Sequence, residues 1–169
     1  IVNRFVISKS NDLENIITRE WQTNYLAPVL LTQKFIKLLS SNKGTVVNVS
    51  SGLAYVPIFI QPNYCATKAA LHSMSLSMRI QFEKIGIKVT EIFYPSVDTP
   101  FQKGHTPKGA IKPDLAAKIA IQGLLKGRSE IHVKMARQIY LLSRIIPNRL
   151  LKMLSGFVPA NYDTILANS

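Results

Sequence analysis

The sequence predicts an α/β fold built on a parallel sheet, and three observations predict it. Apolar residues recur at helical spacing in several long segments, short β-branched runs stand between them, and the two kinds alternate along the chain. An order of helix, strand, helix, strand, helix, strand calls for right-handed crossovers that put helices on both faces of one sheet. With 169 residues the chain makes one domain, since that length buries roughly two thirds of its extended surface.

The first segment, 11–39, is helical because spacings of three and four recur among Leu13, Ile16, Ile17, Trp21, Tyr25, Leu26, Val29, Leu30, Phe35 and Leu38; Trp21 lies on that apolar stripe and reads as core. Pro28 interrupts it, so a kink or break is expected there. After a turn ending at Gly44, the run 45–49 (TVVNV) reads as a strand buried on both faces. Residues 50–61 carry Ser, Gly and Pro and leave the carboxyl end of that strand as a loop. Pro62 and Asn63 open a helix that runs to about Glu83, with Gly86 as its stop signal. The run 87–94 (IKVTEIFY) is a second buried strand, ended by Pro95. The stretch 96–112 has the length of a lid or binding loop. Pro113 starts a helix to about Lys126, 130–134 is a short third strand, and 135–158 makes two helices split at Pro147.

Hydrophobic residues are 47% and charged residues 18%, which marks an ordered globular chain and excludes a disordered one. The net charge of +12 allows a polyanion, an anionic membrane surface or a phosphate-bearing cofactor as partner. It contains neither a run of five basic residues nor a basic stripe interleaved with aromatics, so no nucleic acid partner is expected. A single cysteine, Cys65, excludes an internal disulfide and a multi-cysteine zinc site, and fits a cytoplasmic setting. His72, His105 and His132 are too scattered to form a metal site, and each reads as a surface or pocket-lining side chain. No run approaches 18 apolar residues, and no signal-peptide pattern is present. The chain opens with Ile1 rather than Met, from which a preceding segment is expected.

Tyr64 and Lys68 are four apart near a helix start, so both emerge on one face. A phenol beside an ammonium is a usable acid, because the cation favours the phenolate and lowers the tyrosine pKa. The preceding strand ends in Ser50 and Ser51, at the carboxyl edge of a parallel sheet, where ligands bind in open α/β folds. Ser51 stands thirteen residues before Tyr64. Cys65 reads as a core thiol, and Tyr55 and Phe59 as either pocket lining or packing.

The stretch VVNVSSGLAYVPIFIQPNYCATKAALHSM resembles the active-site region of the short-chain dehydrogenase/reductase family, with a serine followed by a Y-x-x-x-K motif. TNYLAPVLLTQ resembles the helix that carries the family's asparagine, at Asn24, and YPSVDTPF its proline-glycine turn followed by a threonine. The resemblance implies a Rossmann-type doubly wound sheet, of which this chain supplies the later three strands, and a metal-free NAD(P)-dependent interconversion of a carbonyl and an alcohol. It implies catalytic roles for Asn24, Ser51, Tyr64 and Lys68. Ser51 polarises the carbonyl, Tyr64 transfers the proton, Lys68 holds the ribose and tunes the tyrosine, and Asn24 anchors a water through its backbone carbonyl. Cofactor contacts are implied for Tyr64, Lys68, Pro95, Ser96, Val97 and Thr99. Ser96 stands where the family has glycine, so the turn either keeps a negative φ or tolerates strain.

No glycine-rich strand-to-helix turn for a pyrophosphate occurs among these residues, so the chain reads as the C-terminal catalytic portion, 1–169, with 135–169 as a substrate cap or subunit interface. The choice between NAD and NADP is not legible, since the residue that reads the ribose 2′ position belongs to the absent part. A homo-oligomer is expected of the full-length form. Residues 135–158 are apolar and basic in alternation, and the resemblance favours pocket closure or subunit contact over contact with a membrane surface. The other functional classes are an inactive fragment serving as an interaction module, which has no need of Ser51, Tyr64 and Lys68 together, and a serine hydrolase, for which no G-x-S-x-G elbow is present.

Overall fold

The computed structural model describes residues 1–7, 10, 12–102, 104, 106 and onward to 156. Asn11, His105 and the reading of 157–169 as part of a C-terminal cap lie outside the described residues. The expected alternation holds. Helix α1 (Leu13–Trp21) leads through a wider turn to α2 (Ala27–Ser41), then β1 (Thr45–Ser51), α3 (Pro62–Glu83) and β2 (Lys88–Tyr94). Helix α4 (Pro113–Leu125), β3 (Glu130–His132), α5 (Met135–Ile145) and α6 (Pro147–Gly156) follow.

The three strands form one parallel sheet in the order β1-β2-β3, in register from Thr45 beside Lys88 to Ser51 beside Tyr94, and from Glu91 beside Glu130 to Phe93 beside His132. Alternation along β2 decides which helix each side chain meets. Val89 joins Val46 beneath Met78 and Phe82 of α3. Ile92 faces the other way and packs with Ile131 against Ala116 and Ala120 of α4. Helices thus cover both faces of β2, as a parallel sheet requires.

The expected break near Pro28 is present, while the end and the burial of β1 are corrected. The break in the first helix is a five-residue π-helical turn, Gln22–Leu26, one turn ahead of Pro28. Pro28 cannot donate to the carbonyl of Asn24, so the chain widens there, and the proline then sits in the first turn of α2, where a missing N–H costs little. Strand β1 runs on through Ser50 and Ser51, which pair with Phe93 and Tyr94, so the loop starts at Gly52. Finally, β1 is covered on one face only: Val46 and Asn48 are buried under α3, while Val47 and Val49 are 40% and 55% exposed. As the first strand in the sheet order, β1 pairs on one side alone among the described residues.

Trp21, expected in the core, is half-buried and anchored by its indole N–H, which donates to Asn63 Oδ1 at 2.9 Å. Gly123 lets α4 approach β3 closely, since a Cβ there would lie 2.7 Å from Ile131 Cδ1 and Cγ1. Replacing Gly123 with alanine gains about 1 kcal/mol of helix propensity but forces the buried isoleucine to shift, which costs about 1–3 kcal/mol. A lower melting temperature is expected by calorimetry; an unchanged or higher one would mean that the helix simply moves outward.

Candidate active site

The carboxyl ends of β1 and β2 and the first turns of α3 meet at one edge of the sheet. Ser51, the last residue of β1, is buried, and its Oγ accepts the backbone N–H of Leu53 at 3.2 Å, which fixes the tight turn Gly52–Ala54. Tyr64, in the first turn of α3, is buried with Val2 and Cys65 against Leu53 and Ile58, and its ring centroid lies 6.1 Å from that of Phe101. Burial pushes the Tyr64 phenol up to about 12, and hydrogen bonding from Ser51 is the influence that pulls it back. Lys68, one turn on, donates from Nζ to the carbonyl of Val49 at 2.9 Å, with Nζ 5.7 Å from the centroid of the Tyr64 ring. Burial lowers its ammonium to about 8, opposed by the negative charge of Glu91.

Ser51, Tyr64 and Lys68 are therefore neighbours, but one expected influence is reversed. The ammonium does not hold the phenol low, because burial of the phenol dominates and Lys68 is turned toward the strand end. Asn24 lies in the π-helical turn, buried, where its Nδ2 donates to Thr67 Oγ1 at 3.2 Å and to the carbonyl of Ile1 at 2.8 Å. Thr67 Oγ1 in turn donates to the carbonyl of Tyr64 at 2.8 Å. Asn24 and Lys68 line the same groove of about 450 Å³, together with Pro28, Thr32 and Val49; a smaller cavity of about 270 Å³ lies beside Val2 and Phe101.

The turn after β2 is held by the segment at Ile111. The Ser96 carbonyl accepts Ile111 N–H at 3.1 Å, and Asp98 N–H donates to the Ile111 carbonyl at 2.9 Å, with Val97 bridged between them. Ser96 is not among the residues of positive φ, so serine replaces glycine there without left-handed strain. Thr99 Oγ1 donates to the Val97 carbonyl at 3.4 Å. Pro95 ends β2 and delivers this turn to the same sheet edge.

Two buried acids escaped the reading of the sequence. Glu91, in the middle of β2, is fully buried, and its Oε2 accepts His72 Nδ1–H at 2.8 Å, while Oε1 has no partner among the described residues. His72 is one turn beyond Lys68 and meets Tyr55 and Phe93 edge-on. Glu20, on α1, accepts the backbone and side-chain N–H groups of Asn3 and the Asn63 amide at 2.6 Å, so it pins α1 to the start of α3 beside Tyr64. Tyr55 is a packing residue: it stacks on Phe93 and its hydroxyl lies 2.9 Å from His132 Nε2. Cys65 is the core thiol expected, raised to about 11 by burial.

A stability test follows from Lys68. Between about 8 and 10.5 the unfolded chain keeps a lysine proton that the folded chain has released, so stability rises with pH through that window. Below it, both states hold the proton and the full cost of burying the cation is present. Replacing Lys68 with methionine is expected to stabilise the fold at pH 7 and to flatten the slope between pH 8 and 9, a range below the opposing Cys65 and Tyr64 titrations. Urea titrations at a series of pH values check it; parallel wild-type and variant curves would refute it.

The family model described as short chain dehydrogenase matches residues 3–109. An uncharacterized oxidoreductase DltE of Bacillus subtilis is 38% identical over 118 residues, covering 66% of this chain and 47% of that protein. The NADPH-dependent 1-acyldihydroxyacetone phosphate reductase of Schizosaccharomyces pombe is 34% identical over 91 residues, 54% of this chain and 30% of that one. A short-chain dehydrogenase of Burkholderia cenocepacia solved in complex with NADP superposes over 91% of this chain and 65% of its own, with a TM-score of 0.82 at 23% identity, a likeness of fold. The chain thus spans about half the length, or less, of the curated relatives it matches.

Proposed function

The chain belongs to the short chain dehydrogenase family, and from that premise we propose that it carries the catalytic centre of an NAD(P)-dependent oxidoreductase that interconverts a carbonyl and an alcohol. The observation that carries the reading is the buried Tyr64 phenol, hydrogen-bonded by Ser51 and flanked by Lys68 at the carboxyl edge of a parallel sheet. A phenol held at about 12 keeps its proton at neutral pH, so the site is poised to give a proton to a developing alkoxide. Ser51 supplies the hydrogen bond that polarises the carbonyl oxygen. Asn24, tied to Thr67, fixes the first turn of α3 and with it the Tyr64 backbone.

The residues present fit a nicotinamide nucleotide. Lys68 keeps two ammonium protons beyond its bond to Val49, and the sheet edge is where α/β folds receive such ligands. Tyr64 and Lys68 would hold the ribose, and Pro95, Ser96, Val97 and Thr99 would meet the nicotinamide and phosphates. When bound, that group supplies the hydride. The names of the fission-yeast reductase and of the Burkholderia complex support NADPH as the form to test first. We also read the chain as the later portion of a longer fold, supported by its coverage of 65% of the Burkholderia structure.

The test is loss of reduced-nicotinamide absorbance with NADPH or NADH and a panel of aldehydes and ketones, run on this chain and on any longer encoded form. Turnover that needs both a carbonyl and a reduced nucleotide is expected of a form that includes a pyrophosphate-binding turn, with poor nucleotide binding by this chain alone. Nucleotide binding without turnover on any carbonyl, in the presence of an intact fold, would overturn the reading.

A further inference from the structure

Helices α5 and α6 each bury one side and leave the other open. Ala136 and Ile139 of α5 and Leu150 of α6 face inward, and Ile139 packs so closely over the turn after Ser51 that a Cβ on Gly52 would stand 3.2 Å from its Cδ1. On the outer side of α5 Met135, Leu141, Leu142 and Ile145 are exposed, Ile145 to 76%, while on α6 the exposed Leu151 and Met153 flank the buried Leu150. Met135, Leu142 and Ile145 fall at i, i+7 and i+10, and Leu141 is one turn before Ile145, so they form a stripe.

The charge on this hairpin is of one sign. Lys134, Arg137, Arg144, Arg149 and Lys152 lie in or beside it, and no acidic residue occurs from 134 to 156. Apolar side chains among cations, on helices lying along the protein surface, suit a phase that is hydrocarbon below and anionic above. A second copy of this chain suits it poorly, because a two-fold contact would set the same five cations against one another. Nucleic acid would answer the charge but leave the apolar stripe in water. Among the described residues no helix is long and apolar enough to cross a membrane, so these helices would lie on it.

We propose that the α5–α6 hairpin docks this protein peripherally on anionic lipid surfaces, with the apolar stripe in the headgroup boundary and the five basic residues on lipid phosphates or carboxylates. The same helices wall the turn after Ser51, which on the oxidoreductase reading sets the substrate entrance beside the lipid; the docking test does not depend on that reading.

Flotation with neutral phosphatidylcholine vesicles and with vesicles containing phosphatidylglycerol decides it. Co-flotation with the anionic vesicles at low salt, falling steeply at high salt and weak on neutral ones, is the expected result. Each basic residue near an anionic leaflet is worth about fivefold in partitioning, so Arg149→Glu with Lys152→Glu lowers it by about 25-fold or more. Ile145→Asp, at an exposed position, weakens binding to both vesicle types while melting stays as in wild type. No flotation on anionic vesicles at low salt overturns the proposal, whether light scattering then finds a dimer or a duplex oligonucleotide is bound instead. Flotation that neither set of substitutions changes overturns it as well.

Discussion

Replacing Tyr64 with phenylalanine is expected to lower kcat for carbonyl reduction by about 10²–10⁴-fold, the range over which a positioned general acid acts. The ring keeps its contacts with Val2, Cys65 and Phe101, so only the hydroxyl and its hydrogen bond with Ser51 are lost. Folding stability should change by about 1 kcal/mol or less, the net worth of one hydrogen bond. The two readouts separate chemistry from folding: steady-state kinetics should collapse while the urea midpoint scarcely moves. A variant that turns over at the wild-type rate would remove Tyr64 from the chemistry and, with it, the proposed proton transfer.

The second large effect lies beneath the site. Replacing His72 with phenylalanine is expected to cost about 3–5 kcal/mol of stability, because it leaves the fully buried Glu91 carboxylate without its partner. The aromatic substitute keeps the edge-on packing on Tyr55 and Phe93, so cavity formation is a small part of the loss. Adding Glu91→Leu removes the stranded charge, and most of the stability should return in the double variant. Denaturant unfolding of both variants at neutral pH measures this. A loss under about 1 kcal/mol in the single variant would mean that Glu91 does not need the imidazole, since a truly unpaired buried charge is far more costly.

Much of the fold was legible because its signals are local. Pro62 and Gly86 bracket α3, Pro95 ends β2, and Pro113 opens α4, each through a backbone property that acts wherever the residue stands. The grouping of Ser51, Tyr64 and Lys68 could also be read, because a helix fixes the spacing of two of them and a strand end supplies the third. The partner of Glu91 could not. A glutamate inside IKVTEIFY announces a buried charge that must be answered, but the answering residue lies nineteen positions away on another element. Glu20 is similar: nothing near it in the chain points to Asn63, which receives it across the α1–α3 contact.

By itself, the sequence determined the alternation of elements, the ends of the helices, and which side chains gather at the carboxyl edge of the sheet. Only the tertiary structure decided how those side chains are charged and which faces stay open. The Tyr64 phenol stands high and the Lys68 ammonium low because burial in the assembled fold disfavours a charge on either. The side chains of Val49 and Ile145 are exposed because no described element packs over them. Desolvation and coverage are sums over residues distant in the chain, whereas helix caps, turns and spacing depend on residues next to one another.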